Sequence, residues 1–426
     1  MTSRFERVCV LGLGYVGLPT AAALAAKGVE VVGVDTDPER VAQVDAGLAP
    51  ISEPDLDALL RSVTRGGRFR ATAEVCAADA FVIAVPTPLT KDREPDLSHL
   101  RQATNTVARV LEPGNLVLLE STSPVGTTEA LCGELAALRP DLSFPHLAGE
   151  SSDIRVAYSP ERVLPGQILT ELVNNERVVG GITRACTQLA IELYRRFVEG
   201  SCFATNARTA ELVKLVENAY RDVNIAFANE MSLVCNVHNV NPWEVIELAN
   251  RHPRVDLLRP GPGVGGHCIP IDPWFLVAAA RDSTTLVQAA RAVNDGMPRY
   301  VVKQVLESCR DRPDATIGCL GLAYKANVGD LRESPAVEVV RELGRSSVGR
   351  VGRIVVVEPY IDALPPSLAE QDRIELASLD DAMSAADVVV LLTDHNEFAQ
   401  VDRALLATKA VVDARGTWRP GPRPPR

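Results

Sequence analysis

Two short stretches of this chain pair residue types and spacing that could do chemistry. Residues 260–272 read Pro-Gly-Pro-Gly-Val-Gly-Gly-His-Cys-Ile-Pro-Ile-Asp. The glycines let a backbone come close to a bulky ligand, and Cys268 follows them directly, with Asp272 four residues further on. A thiolate can add to an aldehyde to give a thiohemiacetal, and loss of a second hydride would give a thioester that water can hydrolyse. Cys9 and Cys319 fall in strand-like runs, and Cys132, Cys186 and Cys235 in helical patterns. Cys268 alone sits in a glycine-rich loop, where function concentrates. Spacing alone leaves two readings, a nucleophile or a small packed residue. His267 beside it reads as a packing group of the loop, with a neighbouring base as the alternative.

The second stretch is Gly12-Leu13-Gly14-Tyr15-Val16-Gly17, which follows an apolar run and opens a helical pattern. In such a loop Gly12 permits the tight turn, Gly14 lets the backbone approach a pyrophosphate, and Gly17 lets helix and strand pack closely. The helix N-terminus then faces the anion. Asp35, at the end of the next strand-like run, would accept hydrogen bonds from an adenosine ribose and repel a 2′-phosphate. Thr36 and Asp37 supply no compensating cation. NAD is therefore expected rather than NADP.

A third feature is a polar helix face. Lys214 and Asn218 are four residues apart and share a face, which Arg221 extends; Asn224 and Asn229 add amides to an otherwise apolar stretch. A lysine and an amide so placed could hold a developing oxyanion, or could simply form a solvated helix face.

The elements that must position these residues follow from the apolar pattern. Strand runs at residues 7–11, 29–34, 81–85, 116–119 and 155–158 alternate with helical patterns such as 15–27 and 97–111. That alternation predicts a mostly parallel, doubly wound sheet. Residues 209–237 contain no Gly or Pro, and a helix of that length would reach about 40 Å, suited to joining two domains or to a dimer interface. A helix over 243–250 and the Gly/Pro-rich loop follow. Strand runs resume at 316–320, 353–357, 388–392 and 410–412, with Ser334 and Pro335 as N-cap and first position of a helix. The expected architecture is α/β, with two Rossmann-like doubly wound domains joined by a central helical domain with one long helix. The domains are placed at 1–200, 201–300 and 301–426, and the four-proline tail 419–426 is expected to fray.

Composition sets outer limits. A chain of 426 residues with 46% hydrophobic and 23% charged residues is ordinary for a globular protein of two or three domains, and excludes disordered or fibrous classes. A net charge of -11 argues against a nucleic-acid partner. No apolar run approaches a membrane span and no secretory leader pattern opens the chain, so a cytoplasmic location is expected. Nine scattered cysteines without a CxxC pair, and six histidines without HExxH, suggest neither a disulfide scaffold nor a metal site.

With these residues in hand, the chain resembles the UDP-glucose/GDP-mannose dehydrogenase family over nearly its whole length. The matching segments are Gly12 to Gly17, Val85-Pro86-Thr87-Pro88, Ser121 to Thr127, Ser159-Pro160-Glu161-Arg162, Lys214 to Asn218, Gly265 to Asp272 and Gly321 to Pro335. The resemblance implies an NAD-binding Rossmann domain, a central helical domain that forms a homodimer, and a C-terminal UDP-binding domain. It implies a four-electron oxidation of a UDP-sugar at C6. Cys268 matches the nucleophile, Lys214 and Asn218 the oxyanion-stabilising groups, and Asp272 a carboxylate assisting proton transfer through water. Thr122 and Glu161 match residues that place the catalytic water, with Glu161 a candidate hydrolysis base. Cofactor positions fall at Gly12, Gly14, Tyr15, Val16, Gly17, Asp35, Thr87 and Thr122. Substrate positions fall at Arg162, Lys214, Asn218, Arg221, Gly265, His267, Lys325 and Arg332, with Arg254 a candidate to reach the neighbouring subunit's substrate.

Within the family, residues 217–226, 252–255 and 261–275 are most similar to the branch that oxidises UDP-N-acetyl-D-mannosamine. The UDP-glucose branch usually carries Tyr or a similar residue where this chain has His267. UDP-N-acetylglucosamine and UDP-glucose are the alternative substrates. A two-electron dehydrogenase of a 3-hydroxy acid would share the first domain and the long helix but would not need Cys268. A non-catalytic nucleotide sensor would need none of Lys214, Asn218, Cys268 and Asp272 as a set.

Overall fold

Strand β1 (Arg7–Leu11) puts Val8 and Val10 into one buried cluster and Cys9 and Leu11 into another. The two-residue period of a strand divides an apolar run between the two faces of a sheet in this way. The computed structural model describes residues 4–51, 53–164, 166–346 and 351–418. Seven further strands join β1: β2 (Glu30–Val34), β3 (Phe69–Thr72), β4 (Ala80–Ile83), β5 (Leu116–Leu119), β6 (Arg155–Tyr158), β7 (Arg177–Gly181) and β8 (Cys202–Asn206). Their order is β3-β2-β1-β4-β5-β6-β7-β8, parallel except for the antiparallel β6–β7 pair. Helices cover both faces, among them Gly17–Ala26 after the glycine loop.

The second sheet repeats the scheme in five parallel strands: β9 (Ala315–Leu320), β10 (Val351–Val357), β11 (Ile374–Leu376), β12 (Val388–Leu391) and β13 (Ala410–Asp413). Their order is β11-β10-β9-β12-β13. Ile354 and Val356 face one core and Val355 and Val357 the other. Ser334 caps the helix Pro335–Arg345 by accepting from Ala336 N, as the Ser-Pro pair predicts.

Two long helices lie between the sheets in the chain, Ala207–Val237 and Thr285–Ser308. A buried polar chain joins them. Arg291 pairs with Asp222 at 2.6 Å, Asn294 donates to the same carboxylate, and Asn229 donates to Asn294. Burial pushes the Asp222 carboxyl up, against the pull of Arg291. The chain folds as two compact units, residues 1–217 with 274–280, and residues 218–273 with 281–426. The boundary falls inside the first long helix, between Glu217 and Asn218.

The sequence reading anticipates two Rossmann-like sheets and a long central helix, and the structure has them. It does not anticipate β3, β7, β8 and β11 or the helix Thr285–Ser308. The tail 419–426 lies outside the described residues. No helix among the described residues is long and apolar enough to cross a membrane.

Candidate active site

The glycine loop fits a dinucleotide by where it is closed and where it is open. A Cβ on Gly12, whose φ is +94°, would lie 2.5 Å from the Ala84 carbonyl oxygen, and one on Gly17 would lie 1.9 Å from the Gly12 carbonyl oxygen. One on Gly14 would meet nothing within 4 Å among the described residues. Two glycines are thus required by the protein itself, while the third leaves open backbone for a ligand. The helix Gly17–Ala26 has no side-chain N-cap and no acidic residue in its first turn. Its N-terminal partial positive charge is therefore left for an anion. Thr87 donates to the Thr122 carbonyl at 2.7 Å, bringing those two predicted positions together.

Asp35 is buried and accepts from Leu13 N at 2.9 Å and Asp37 N at 3.0 Å. It also pairs with Arg40 at 3.2 Å. Thr36 and Asp37 supply no cation, but Arg40 does. Arg40, beyond the two residues considered, folds back from the first turn of the helix Pro38–Asp45.

Deeper in the first unit, Lys214 is buried and donates to the main-chain oxygen of Glu161 at 2.7 Å. The Glu161 carboxylate accepts from Arg162 N at 2.6 Å and pairs with buried Arg177 at 2.8 Å. Arg162 itself is held by Glu217 at 2.8 Å and by the Glu176 carbonyl.

In the second unit Cys268 is exposed, and it is the one exposed cysteine of the nine. Burial pushes the thiols of Cys9 and Cys132 up to about 12, which leaves them inert. The Cys268 carbonyl accepts from Ile271 N and Asp272 N at 3.1 and 2.9 Å, a turn that opens the helix Asp272–Ala279. Asp272 is buried and accepts from the Asn218 amide. Asn218 thus reaches the turn that carries the cysteine. Asn229 accepts from Gly261 N at 2.9 Å and anchors the start of the same loop.

The four loop glycines are also closely packed by the protein itself. A Cβ on Gly261 would meet Arg415 at 2.6 Å, one on Gly263 would meet Pro335 at 2.9 Å, and one on Gly265 would meet Tyr324 at 2.6 Å. Gly266 lies under the Tyr324 ring, and its N–H donates to the Arg332 carbonyl at 3.1 Å. At Gly263, Gly265 and Gly266 the loop needs glycine because residues 324–335 pack tightly on it, and at Gly261 because Arg415 does.

That packed segment carries Lys325, which is exposed, and Arg332, which pairs with Asp330 at 2.5 Å. Partial burial pushes the His267 imidazole down, and the Arg332 guanidinium adds to this. The segment is clamped from below. Glu358, at the end of β10, accepts from Leu322 N and Ala323 N at 2.7 and 2.9 Å and from His395 at 3.1 Å. Burial raises the Glu358 carboxyl, but these hydrogen bonds outweigh it and the net shift is downward. Arg221 and Arg254 are exposed.

Five residues that this geometry singles out escape the sequence reading: Arg40, Arg177, Tyr324, Glu358 and His395. Each acts through a partner distant in sequence or through a turn, and only the position of Glu358 at a strand end offered a signal.

A glycine-loop Rossmann sheet with an acidic strand end, joined to a second sheet and an exposed loop cysteine, defines an NAD-dependent oxidoreductase. The chain belongs to the UDP-glucose/GDP-mannose dehydrogenase family: residues 6–198 match its NAD binding domain, 208–296 its central domain and 318–420 its UDP binding domain. It is 53% identical over 414 residues, covering 97% of this chain and 96% of the relative, to an NDP-N-acetyl-D-galactosaminuronic acid dehydrogenase of Ralstonia nicotianae. It is 49% identical over 423 residues, covering 97% and 100%, to the UDP-N-acetyl-D-mannosamine dehydrogenase of Escherichia coli K12. Among solved structures, a UDP-D-ManNAc dehydrogenase from Pyrococcus horikoshii superposes with a TM-score of 0.87 at 40% identity, covering 98% of this chain and 97% of that one.

Proposed function

We propose that this chain oxidises the C6 hydroxymethyl group of UDP-N-acetyl-D-mannosamine to the carboxylate, in two two-electron steps on one bound sugar. The observation that carries the reading is Cys268, exposed on a turn tied through Asp272 to Asn218, in a chain with an NAD binding domain. Identity of 49% with the E. coli enzyme supports the sugar. The Ralstonia relative, at 53%, favours a second reading in which an N-acetylated galacto sugar is the substrate.

Gly12, Gly14, Tyr15, Val16, Gly17, Asp35, Thr87 and Thr122 would hold NAD, and two NAD molecules bound in turn would accept the two hydrides. Everything else falls to the chain. The C6 hydroxyl gives up its proton through water to Asp272 as a hydride leaves carbon. Lys214 stabilises the developing alkoxide electrostatically, and Asn218 aids it. The Cys268 thiolate adds to the aldehyde carbon, and the resulting oxyanion meets the same donors. Loss of a second hydride leaves a thioester on Sγ. Water placed by Thr122 and Glu161 attacks the acyl carbon, gives a proton to Glu161, and expels the thiolate. Covalent capture keeps the aldehyde bound between the two oxidations. Arg162, Arg221, Gly265, His267, Lys325 and Arg332 are assigned to the UDP-sugar, with Arg254 reaching the substrate of a neighbouring subunit.

The domains are assigned to 1–200, 201–300 and 301–426, and the chain to a homodimer. Supporting the dimer, Leu212, Val216, Tyr220, Phe227 and Val234 stay exposed along the helix Ala207–Val237 at steps of four and seven. Such a stripe marks an interaction surface. Phe227→Glu is expected to give monomers by sedimentation velocity.

Side-by-side kcat/KM values on UDP-N-acetyl-D-mannosamine, UDP-N-acetyl-D-galactosamine, UDP-N-acetylglucosamine and UDP-glucose test the substrate. The manno sugar is expected to lead, and a larger value for another sugar would overturn that assignment.

A further inference from the structure

Behind Glu161 lies a buried charge cluster that the roles above leave unused. Arg177, on β7, is 4% exposed and gives Nη2 to Glu161 at 2.8 Å. Its guanidinium lies 4.5 Å from the Tyr194 ring centre and 5.8 Å from that of Phe197. Among the described residues its Nε and Nη1 have no hydrogen-bond partner. Glu120, which follows β5, is 2% exposed and accepts from the Tyr194 hydroxyl at 2.5 Å and from Thr20 at 3.3 Å. Thr20 lies in the helix that follows the glycine loop. Both carboxylates act electrostatically on the one guanidinium.

We infer that Arg177 is the positioning residue that fixes the Glu161 carboxylate for thioester hydrolysis, and that Glu120 is a second carboxylate whose protonation sets how firmly it does so. The inference rests on the reading of Glu161 as the residue that activates water.

Two features argue for it. Arg177 spends its one charge-assisted bond on Glu161, and stacking on Tyr194 and Phe197 leaves the guanidinium plane little freedom. The Arg162 N–H fixes the other Glu161 oxygen, so the carboxylate is gripped at both ends. The groups facing Glu120 are Thr20 from the glycine-loop helix, Tyr194 from the helix Arg184–Tyr194, Arg177 from β7, and Glu161 after β6. Burial raises the Glu120 carboxyl to about 7, opposed by Arg177 and reinforced by Glu161. The Tyr194 phenol is pushed well up by burial and remains a donor. When Glu120 is protonated, Arg177 serves Glu161 alone. When it ionises, its charge also acts on Arg177 and repels that of Glu161.

The test uses the full chain with NAD and its best UDP-sugar. Quenched samples are assayed by intact mass for the sugar adduct on the protein, and the first NADH burst is followed in parallel. Arg177→Met is expected to keep the burst and to clear the adduct at least tenfold more slowly than wild type, with Arg177→Lys in between. Glu120→Gln is expected to remove an inflection near neutral pH from the clearance rate. If Glu161→Gln retains the adduct while both Arg177 variants clear it at the wild-type rate, Arg177 has no positioning role. If Glu161→Gln itself clears the adduct normally, the reading of Glu161 falls and this inference falls with it. If Arg177→Met does not fold, Arg177→Lys and Glu120→Gln decide, and a pH profile unchanged by Glu120→Gln would overturn the role of Glu120.

Discussion

Lys214 donates a hydrogen bond to the main-chain oxygen of Glu161 at 2.7 Å. The lysine assigned to the oxyanions thus also fixes the segment that carries the proposed hydrolysis base. A methionine at 214 would remove the charge and leave a buried carbonyl unpaired. Lys214→Met is expected to lower kcat about 100- to 1000-fold with a smaller change in KM. Steady-state NADH formation checks this, and a loss of less than tenfold would contradict the assignment.

Glu120 makes folding stability depend on pH. Its carboxyl is raised in the folded state to about 7, above the ordinary value near 4.3 of an unfolded chain. Its contribution is therefore full below that ordinary value and is lost as pH rises through about 7. The wild type should lose on the order of 3 kcal/mol from this group between pH 4 and 8. Glu120→Gln should remove that part of the slope. Denaturant titrations at several pH values measure the difference, and parallel profiles for the two proteins would refute it.

The glycines of the cysteine loop answer to protein packing. Gly265→Ala would push a methyl to 2.6 Å from Tyr324 Cβ and 2.7 Å from the Glu333 carbonyl oxygen. A cost of about 1–3 kcal/mol is expected, together with reduced turnover, because the loop presenting Cys268 must shift. A melting curve and turnover matching wild type would show that the loop yields freely.

Gly14 should behave in the opposite way. An added methyl there meets nothing within 4 Å among the described residues, so Gly14→Ala should melt as wild type does. It should raise KM for NAD about tenfold or more, because the methyl occupies the path of the pyrophosphate. Destabilisation without a change in KM would mean that the open face does not serve the cofactor.

What the sequence made legible was local. The β1 run, Gly17 closed against Gly12, and the Ser334-Pro335 helix start each depend on a few nearby residues, and each stands where the pattern put it, whereas Gly12 is closed by Ala84 from a distant strand end. The helix Thr285–Ser308 stayed hidden because Gly296 and Pro298, residues that usually interrupt a helix, lie inside it. Glu120 and Tyr194 are 74 residues apart and meet only because β5 and the helix Arg184–Tyr194 pack together. The loop glycines were legible as glycines but not in purpose, since Tyr324 and Pro335 arrive from another part of the chain. Cys268 could be singled out by its loop, and its exposure beside eight buried or half-buried cysteines supports that choice.

The central claim is a four-electron oxidation that passes through Cys268. NADH formed per UDP-N-acetyl-D-mannosamine consumed, measured to completion with wild type and Cys268→Ala, tests it most directly. Two NADH per sugar with wild type, and no uronate with Cys268→Ala, is the expected result. One NADH per sugar, or normal uronate from the variant, would contradict the account.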